Sequence, residues 1–166
     1  MKSLSVWGAS GPAKVVLDCA PALRSFARIG CIDDSPPSPP VLSDHPMLGD
    51  RSYLHSACAN GYRHFVIAIG SNTDRAACFE IAIAHGLEPV AVIHPSAIVA
   101  PTASIGVGTV VMPGAIINAA VRIGIDCIVN TGAVIEHDCV IGDHSHVSPR
   151  AALSGAYRWI GLRRWA

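Results

Sequence analysis

Charged residues are scarce in this chain of 166 residues, where Lys, Arg, Asp and Glu together make up 14%. The 12 basic residues balance 12 acidic ones, so the formal net charge is zero. That balance argues against bulk electrostatic binding to nucleic acid or to an anionic membrane. Hydrophobic residues nevertheless make up 51% of the chain, which excludes a disordered, solvated polymer. We therefore expect a folded protein of one or two small domains, without a nucleic-acid partner.

The chain also lacks an apolar run that is free of helix breakers. Residues 89–121 carry no Asp, Glu, Lys or Arg, but they include four prolines and three glycines. A membrane-spanning helix does not survive so many breakers, so we predict no membrane insertion. The first ten residues lack the apolar region and cleavage site of a signal peptide. The six cysteines form no CxxC pair, which favours reduced thiols and a cytoplasmic protein.

Residues 1–88 alternate short apolar runs with helical segments. We predict three strands, Leu4–Trp7, Arg28–Ile32 and Phe65–Ile69. We predict a helix that opens at Pro12 and a second over Thr73–His85, and a proline-rich loop over Ser35–Pro46. Such alternation is typical of an α/β domain with a parallel sheet.

From residue 89 onward a period of six replaces this alternation. An Ile, Val or Leu stands at eleven consecutive positions six residues apart, from Ile93 to Leu153. A small residue follows most of them four positions later, as at Ala97, Ala115 and Ala133. This pattern is the hexapeptide repeat of a parallel β-helix, in which three hexapeptides form one triangular coil. We therefore predict an all-β solenoid over residues 89–166.

The repeat is expected to end early. Tyr157 occupies a position where a small residue is expected, and residues 157–166 contain no aliphatic hexad. We expect about three and a half coils followed by an irregular tail. The tail either caps the solenoid with its aromatic side chains or belongs to a chain that is shortened or changed in reading frame.

Two sequence features in the first half suit a nucleotide ligand. Gly8 and Gly11 lie between a strand and a helix, where backbone N–H groups can bind a phosphate, although a plain tight turn explains them equally well. Asp33 and Asp34 end the next strand, where an acid can accept hydrogen bonds from sugar hydroxyls. A solvated turn is the alternative interpretation of these two residues.

The second half contains a cluster of histidines. His137 is followed by Asp138, and His144 and His146 come soon after. A neutral histidine beside an acid can act as a general base, while a simple surface histidine is the alternative. The spacing of the three histidines gives little support to a zinc site. Cys127 and Cys139 occupy small-residue positions, so packing explains them better than nucleophilic catalysis.

The chain resembles a family of bacterial sugar acyltransferases, of the sialic-acid O-acetyltransferase and UDP-amino-sugar N-acetyltransferase type. The resemblance extends over residues 4–156 and is carried by GASGPAKVVLD, CIDD, VIAIGSN, VIHPSAIVAP and NTGAVIEHDCVIGDHSHVSP. It implies a Rossmann-like domain over 1–88, a left-handed parallel β-helix over 89–166 and assembly as a homotrimer. It also implies acetyl-CoA as co-substrate, a sugar or nucleotide-sugar substrate and no metal.

The resemblance further implies roles for individual residues. His137 matches the catalytic base, and Asp138 matches an acidic residue that tunes and orients it. His146 and Gly155 match positions that contact acetyl-CoA. The positions that hold the sugar or nucleotide-sugar are matched by Ser10, Gly11, Asp33, Asp34 and Gly70, while Pro12 replaces a histidine that is common in the family.

The implied activity is transfer of an acetyl group from acetyl-CoA to a sugar amine or hydroxyl in surface polysaccharide or glycan synthesis. The alternative is a non-catalytic protein that binds a nucleotide-sugar but has lost part of its CoA site.

Overall fold

The computed structural model describes residues 2–19, 24–36, 45–159, 161 and 164–165. Much of the loop predicted over Ser35–Pro46 lies outside the described residues. The chain divides into two compact units, Met1–Val90 and Ala91–Ala166, and the division falls two residues after the predicted boundary. Within the described part of the chain, no helix has the length and apolar character needed to cross a bilayer.

Five strands and four helical segments lie in the described part of the first unit. The strands are β1 Lys2–Trp7, β2 Phe26–Ile32, β3 Met47–Gly49, β4 His64–Ile67 and β5 Glu88–Pro89. The helices are α1 Gly11–Asp18, a 3-10 turn Arg51–Tyr53, α2 Leu54–Ala57 and α3 Asn72–Ala84. All strand pairs are parallel, in the order β3-β2-β1-β4-β5. This is the strand order of the first five strands in a doubly wound nucleotide-binding sheet.

The apolar residues explain the parallel sheet of this unit. Leu4 and Val6 in β1 are fully buried, and so is Val66 in β4. All of residues 3–7 in β1 are buried, Ser3 and Ser5 included, as expected where both faces of a parallel sheet are covered. The Ser71 side chain caps α3 by accepting a hydrogen bond from the Asp74 backbone N–H at 3.4 Å. Gly86, with φ of +78°, follows the helix as its predicted stop.

Three predicted strands and two predicted helices are confirmed to within a few residues. The sequence analysis did not identify β3, β5 or the helical turns over 51–57. These elements have two to four residues each, which is too short for hydrophobic periodicity to show.

The second unit is a stack of strands that are two residues long and start six residues apart. They are β6 Val92–Ile93, β7 Ile98–Val99, β8 Ser104–Ile105, β9 Val110–Val111, β10 Ile116–Ile117, β11 Arg122–Ile123, β12 Ile128–Val129, β13 Val134–Ile135, β14 Val140–Ile141, β15 His146–Val147, β16 Ala152–Leu153, β17 Arg158–Trp159 and β18 Arg164–Trp165. Each strand pairs in parallel with the strand three places further on, which gives three sheets. The three sheets are the faces of a β-helix with 18 residues in each coil, as the repeat predicted.

The core of this unit consists of the residues that recur in phase. The second residue of each central strand points inward, and Val111, Ile117, Val129 and Ile135 are fully buried. The small residues four positions later are buried as well, with Ala115, Ala133 and Cys139 at 0% exposure. The hexapeptide rule therefore assigns the interior of the solenoid correctly.

The tail differs from the irregular structure expected over residues 157–166. Strand β17 pairs with β14, and β18 pairs with β15, in the same register as the coils before them. Trp159 and Trp165 stand six and twelve residues after Leu153, so they continue the repeat in phase. A search restricted to Ile, Val and Leu misses them. Tyr157 packs against the core at the corner position where a small residue was expected.

Candidate functional site

His137 and Asp138 form a hydrogen-bonded pair at a turn of the solenoid. The His137 Nδ1 atom lies 2.8 Å from the Asp138 Oδ2 atom. Asp138 has φ of +62°, a left-handed conformation that aspartate tolerates better than most residues. Both side chains are more than half exposed, so the pair contributes little to folding stability. Its effect is to orient the imidazole and to leave Nε2 as the nitrogen available to a substrate.

The next coil places Gly155 and Ala156 against this pair. The Ala156 backbone N–H donates to the His137 carbonyl at 2.8 Å. A Cβ atom on Gly155 would lie 2.7 Å from Nε2 of His137, closer than carbon and nitrogen can approach without a bond. Glycine is therefore the residue that fits beside the ring.

The other two histidines of the cluster have different partners. Nδ1 of His144 lies 2.8 Å from Oδ2 of Asp126, a residue in the preceding coil that is fully buried. Nε2 of His146 lies 2.9 Å from the Asn130 side-chain nitrogen, and His146 is only 5% exposed. The predicted acetyl-CoA contact through His146 therefore involves a residue that is nearly buried in the isolated chain.

The described residues contain no cluster of three or more His, Cys, Asp or Glu side chains arranged as metal ligands. Cys127 and Cys139 are buried, and their thiols donate to backbone carbonyls, including those of Gly142 and Ser154. Burial raises the pKa of Cys19 and of Cys31 to about 11, which keeps both thiols protonated at neutral pH.

In the first unit, the glycine-containing loop follows β1 and packs against the loop after β4. Gly8 has φ of +123°, and a Cβ at this position would lie 2.7 Å from the Ala68 carbonyl oxygen. Glycine is therefore required at position 8 both by the backbone conformation and by the close approach of the loops that follow β1 and β4. Strands β1 and β4 are adjacent at the point where the strand order reverses, which is where doubly wound sheets bind ligands.

Asp33 holds this loop in place. Its Oδ2 atom accepts the Ala9 backbone N–H at 2.7 Å, and its Oδ1 atom accepts the Ser35 backbone N–H at 2.8 Å. Each carboxylate oxygen thus already binds a backbone amide. The geometry favours a positioning function for Asp33, whereas the resemblance implied a direct sugar contact.

Asp34 is bound by Arg51, a residue that the sequence analysis did not single out. Asp34 Oδ2 accepts from the Arg51 Nη2 and Nε atoms at 2.6 and 3.0 Å, and Oδ1 accepts the Arg51 backbone N–H at 2.9 Å. Hydrogen bonds from the Arg51 side chain hold the pKa of Asp34 below its usual range and raise the pKa of Arg51. Arg51 lies 17 residues after Asp34 in the sequence. The folded structure brings it to the end of β2, and no sequence motif predicts this pairing.

The remaining candidates lie around the two loops. Ser10 precedes α1 and its hydroxyl makes no capping hydrogen bond, while Pro12 lies in the first turn, as predicted. Gly11 and Gly70 have no heavy atom within 4 Å of a built Cβ, so packing does not require glycine at either position. Arg75, 1% exposed, donates to the Ile69 carbonyl beside Gly70 at 3.2 Å; this buried arginine was also missed.

Comparison with known proteins identifies similar sequences and structures. Residues 3–82 match the PglD N-terminal domain family. A GDP-perosamine N-acetyltransferase of Escherichia coli O157:H7 is 31% identical over 93 residues, which is 56% of this chain and 42% of that protein. The matched region thus spans less than half of this curated relative.

Two groups of crystal structures share the fold over almost the whole chain. A mutant perosamine N-acetyltransferase from Caulobacter crescentus, in complex with CoA and GDP-perosamine, is 34% identical with a TM-score of 0.87. The match covers 95% of this chain and 74% of that one. The acetyltransferase domain of PglB from Neisseria gonorrhoeae, in complex with acetyl coenzyme A, is 37% identical with a TM-score of 0.86, over 95% of this chain and 75% of that one.

Proposed function

Because this chain belongs to the bacterial sugar acetyltransferases of the left-handed β-helix family, we propose that it transfers an acetyl group from acetyl-CoA to a nucleotide-linked amino sugar. The observation that carries the proposal is the His137–Asp138 pair at 2.8 Å on an exposed turn of the solenoid. An amine is the preferred acceptor because two of the relatives described above are N-acetyltransferases; a hydroxyl is the alternative. The product would serve surface polysaccharide or glycan synthesis.

In the proposed mechanism His137 is the general base. Its Nε2 removes a proton from the sugar amine as the nitrogen attacks the thioester carbonyl carbon of acetyl-CoA. A C–N bond forms, the C–S bond breaks, and the proton passes to the departing CoA sulfur. Asp138 holds the Nδ1 side of the ring and stabilises the imidazolium that forms between the two proton transfers.

Substrate binding is proposed for residues of both units. We assign the nucleotide-sugar to the loops of a Rossmann-like first unit, through Ser10, Gly11, Asp34, Gly70 and the first turn at Pro12. Asp33 shapes the loop that carries Ser10 and Gly11. We assign acetyl-CoA contacts to Gly155 and to His146 together with its partner Asn130.

We also propose a homotrimer, which the solenoid surface supports. Ile98, Ile116, Val134 and Ala152 occupy the outward positions of one face, in register on four successive coils. Ile98 is 63% exposed in the isolated chain. A continuous apolar stripe of this kind marks a protein interface, and a second copy of the chain is the partner that we propose for it. Ile116→Arg is then expected to give monomers in light scattering.

The activity assay uses GDP-perosamine and a UDP-linked amino sugar as acceptors, with CoA release as the signal. His137→Ala is expected to lower kcat by about 10²–10⁴-fold while the thermal unfolding profile stays unchanged. His94→Ala, a histidine change elsewhere in the solenoid, serves as the control. Near-normal turnover by His137→Ala would reject the catalytic base. Absence of saturable acetyl-CoA binding to the unmodified protein would favour the non-catalytic alternative.

A further inference from the structure

The backbone at Gly155 lies so close to the proposed catalytic histidine that no side chain fits between them. The built Cβ position is 2.7 Å from Nε2, 2.8 Å from Cε1 and 3.2 Å from Cδ2 of His137. These three atoms form the outer edge of the imidazole, opposite the bond to Asp138. Gly155 has no left-handed φ, so backbone conformation does not require glycine here. Glycine fits because any Cβ atom at this position would clash with the imidazole ring where it now lies.

We infer that Gly155 is a positioning residue for His137, because its missing side chain lets the ring edge that carries Nε2 lie against the next coil while Nδ1 is held by Asp138. This inference rests on the proposed function, and it adds to the acetyl-CoA contact that family resemblance gives Gly155. The two roles predict different kinetic defects, because one acts on the base and the other on the ligand.

The His137 ring can move toward solvent, and this determines whether a substitution at position 155 impairs catalysis or folding. His137 is 63% exposed, so a methyl group at position 155 would push the imidazole toward solvent and leave the backbone in place. The displaced ring would lose its 2.8 Å hydrogen bond to Asp138. The cost is thus expected in the orientation of the base more than in the fold.

The first test is Gly155→Ala in the full chain. At saturating concentrations of both substrates, kcat is expected to fall by about 10²-fold, toward the value of His137→Ala. The Kd of CoA, measured by calorimetry, is expected to rise by a smaller factor than kcat falls, because the effect on the base comes in addition to any loss of the assigned CoA contact. Ser154→Ala, in the same turn, is the matched control and should change neither value. A Gly155→Ala enzyme with normal kcat and weakened CoA binding would overturn the inference, since that pattern indicates a ligand contact alone.

The second test is a double-mutant cycle on thermal stability. Gly155→Ala is expected to lower Tm only slightly, by about 1–2 °C, when His137 is present, because the displaced ring moves into solvent at small cost. In the His137→Ala background it is expected to leave Tm unchanged, because the ring that the methyl group would meet is absent. If Gly155→Ala alone fails to fold, recovery of the folded state in the double mutant supports the contact, and failure of both overturns it. Equal Tm losses in the two backgrounds also overturn it.

These tests separate the inference from the proposed function. If the unmodified protein transfers no acetyl group to any acceptor, the proposed function fails in the activity assay. The coupling between Gly155 and His137 in Tm does not depend on that assay.

Discussion

The solenoid and the sheet unit hold their candidate functional residues in different ways. In the solenoid, His137 meets its chain neighbour Asp138 and meets Gly155 one coil later, and backbone hydrogen bonds connect the coils. In the sheet unit, a side chain makes the connection, since Asp33 binds the Ala9 backbone from 24 residues away. A repeated coil therefore places a residue by its phase, whereas the parallel sheet of the first unit places it by strand order and by individual side chains.

The largest expected effect tests whether phase alone determines burial in the solenoid. Ile117 and Ile135 are both fully buried and pair with each other on the same face. Each change to alanine is expected to cost about 2–5 kcal/mol in the free energy of unfolding, with the two costs within about 1 kcal/mol of each other. Urea unfolding measures both. Arg122→Ala, at an exposed outward position on another face of the solenoid, is the control and should cost less; costs that differ widely between Ile117 and Ile135 would contradict the rule.

A smaller effect is expected from the side chain that connects the sheet unit. Asp33→Asn keeps the shape but replaces one acceptor oxygen with an NH₂ group that cannot accept a backbone N–H. We expect the KM of the nucleotide-sugar to rise by about tenfold, while the KM of acetyl-CoA stays the same. Asp50→Asn is the matched control, because Asp50 also accepts a backbone N–H, from Ser52, but outside the glycine loop. An unchanged KM would show that the loop holds its shape without Asp33.

The smallest effect concerns the exposed Asp34–Arg51 pair. Because Arg51 lowers the pKa of Asp34, the pair stabilises the folded state above the pKa of an unfolded aspartate, near 4. That stabilisation is lost as the pH falls through the lower folded-state pKa. Arg51→Gln is expected to reduce Tm by about 1–3 °C at pH 7 and to have no effect once the pH is below the lowered pKa of Asp34, where the carboxyl group is protonated in both states. A Tm difference that grows on acidification would have the wrong sign for this pair.

The solenoid and the sheet unit also differ in how much of their structure the sequence predicts. The hexapeptide repeat identifies which residues of the solenoid are buried, from Val111 to Leu153, because every coil imposes the same environment. The repeat was not followed to Trp159 and Trp165, whose strands continue it in register, because aromatic residues were not counted as its members. In the sheet unit, the three longer strands and two helices carry enough periodicity to be recognised, and β3 and β5 do not.

The candidate site is divided in the same way. His137 and Asp138 are adjacent in sequence, so their pairing was open to prediction. The contacts of Asp34 with Arg51 and of Asp33 with Ala9 join residues that are far apart in sequence. Strand position and family resemblance predicted a sugar contact for both acids but could not predict these protein partners.

The amino-acid sequence on its own determines a repeat of aliphatic residues every six positions. This repeat predicts a β-helix with three-sided coils, because a period of six matches no other common backbone geometry. The sequence also determines that a histidine and an aspartate share one exposed turn. Only the tertiary structure shows that Gly155, one coil further on, lies against the His137 ring. It alone also shows that Asp33 accepts the backbone N–H of Ala9 and that Asp34 pairs with Arg51. Those facts depend on distances between segments that are far apart in the chain, which local residue patterns do not encode.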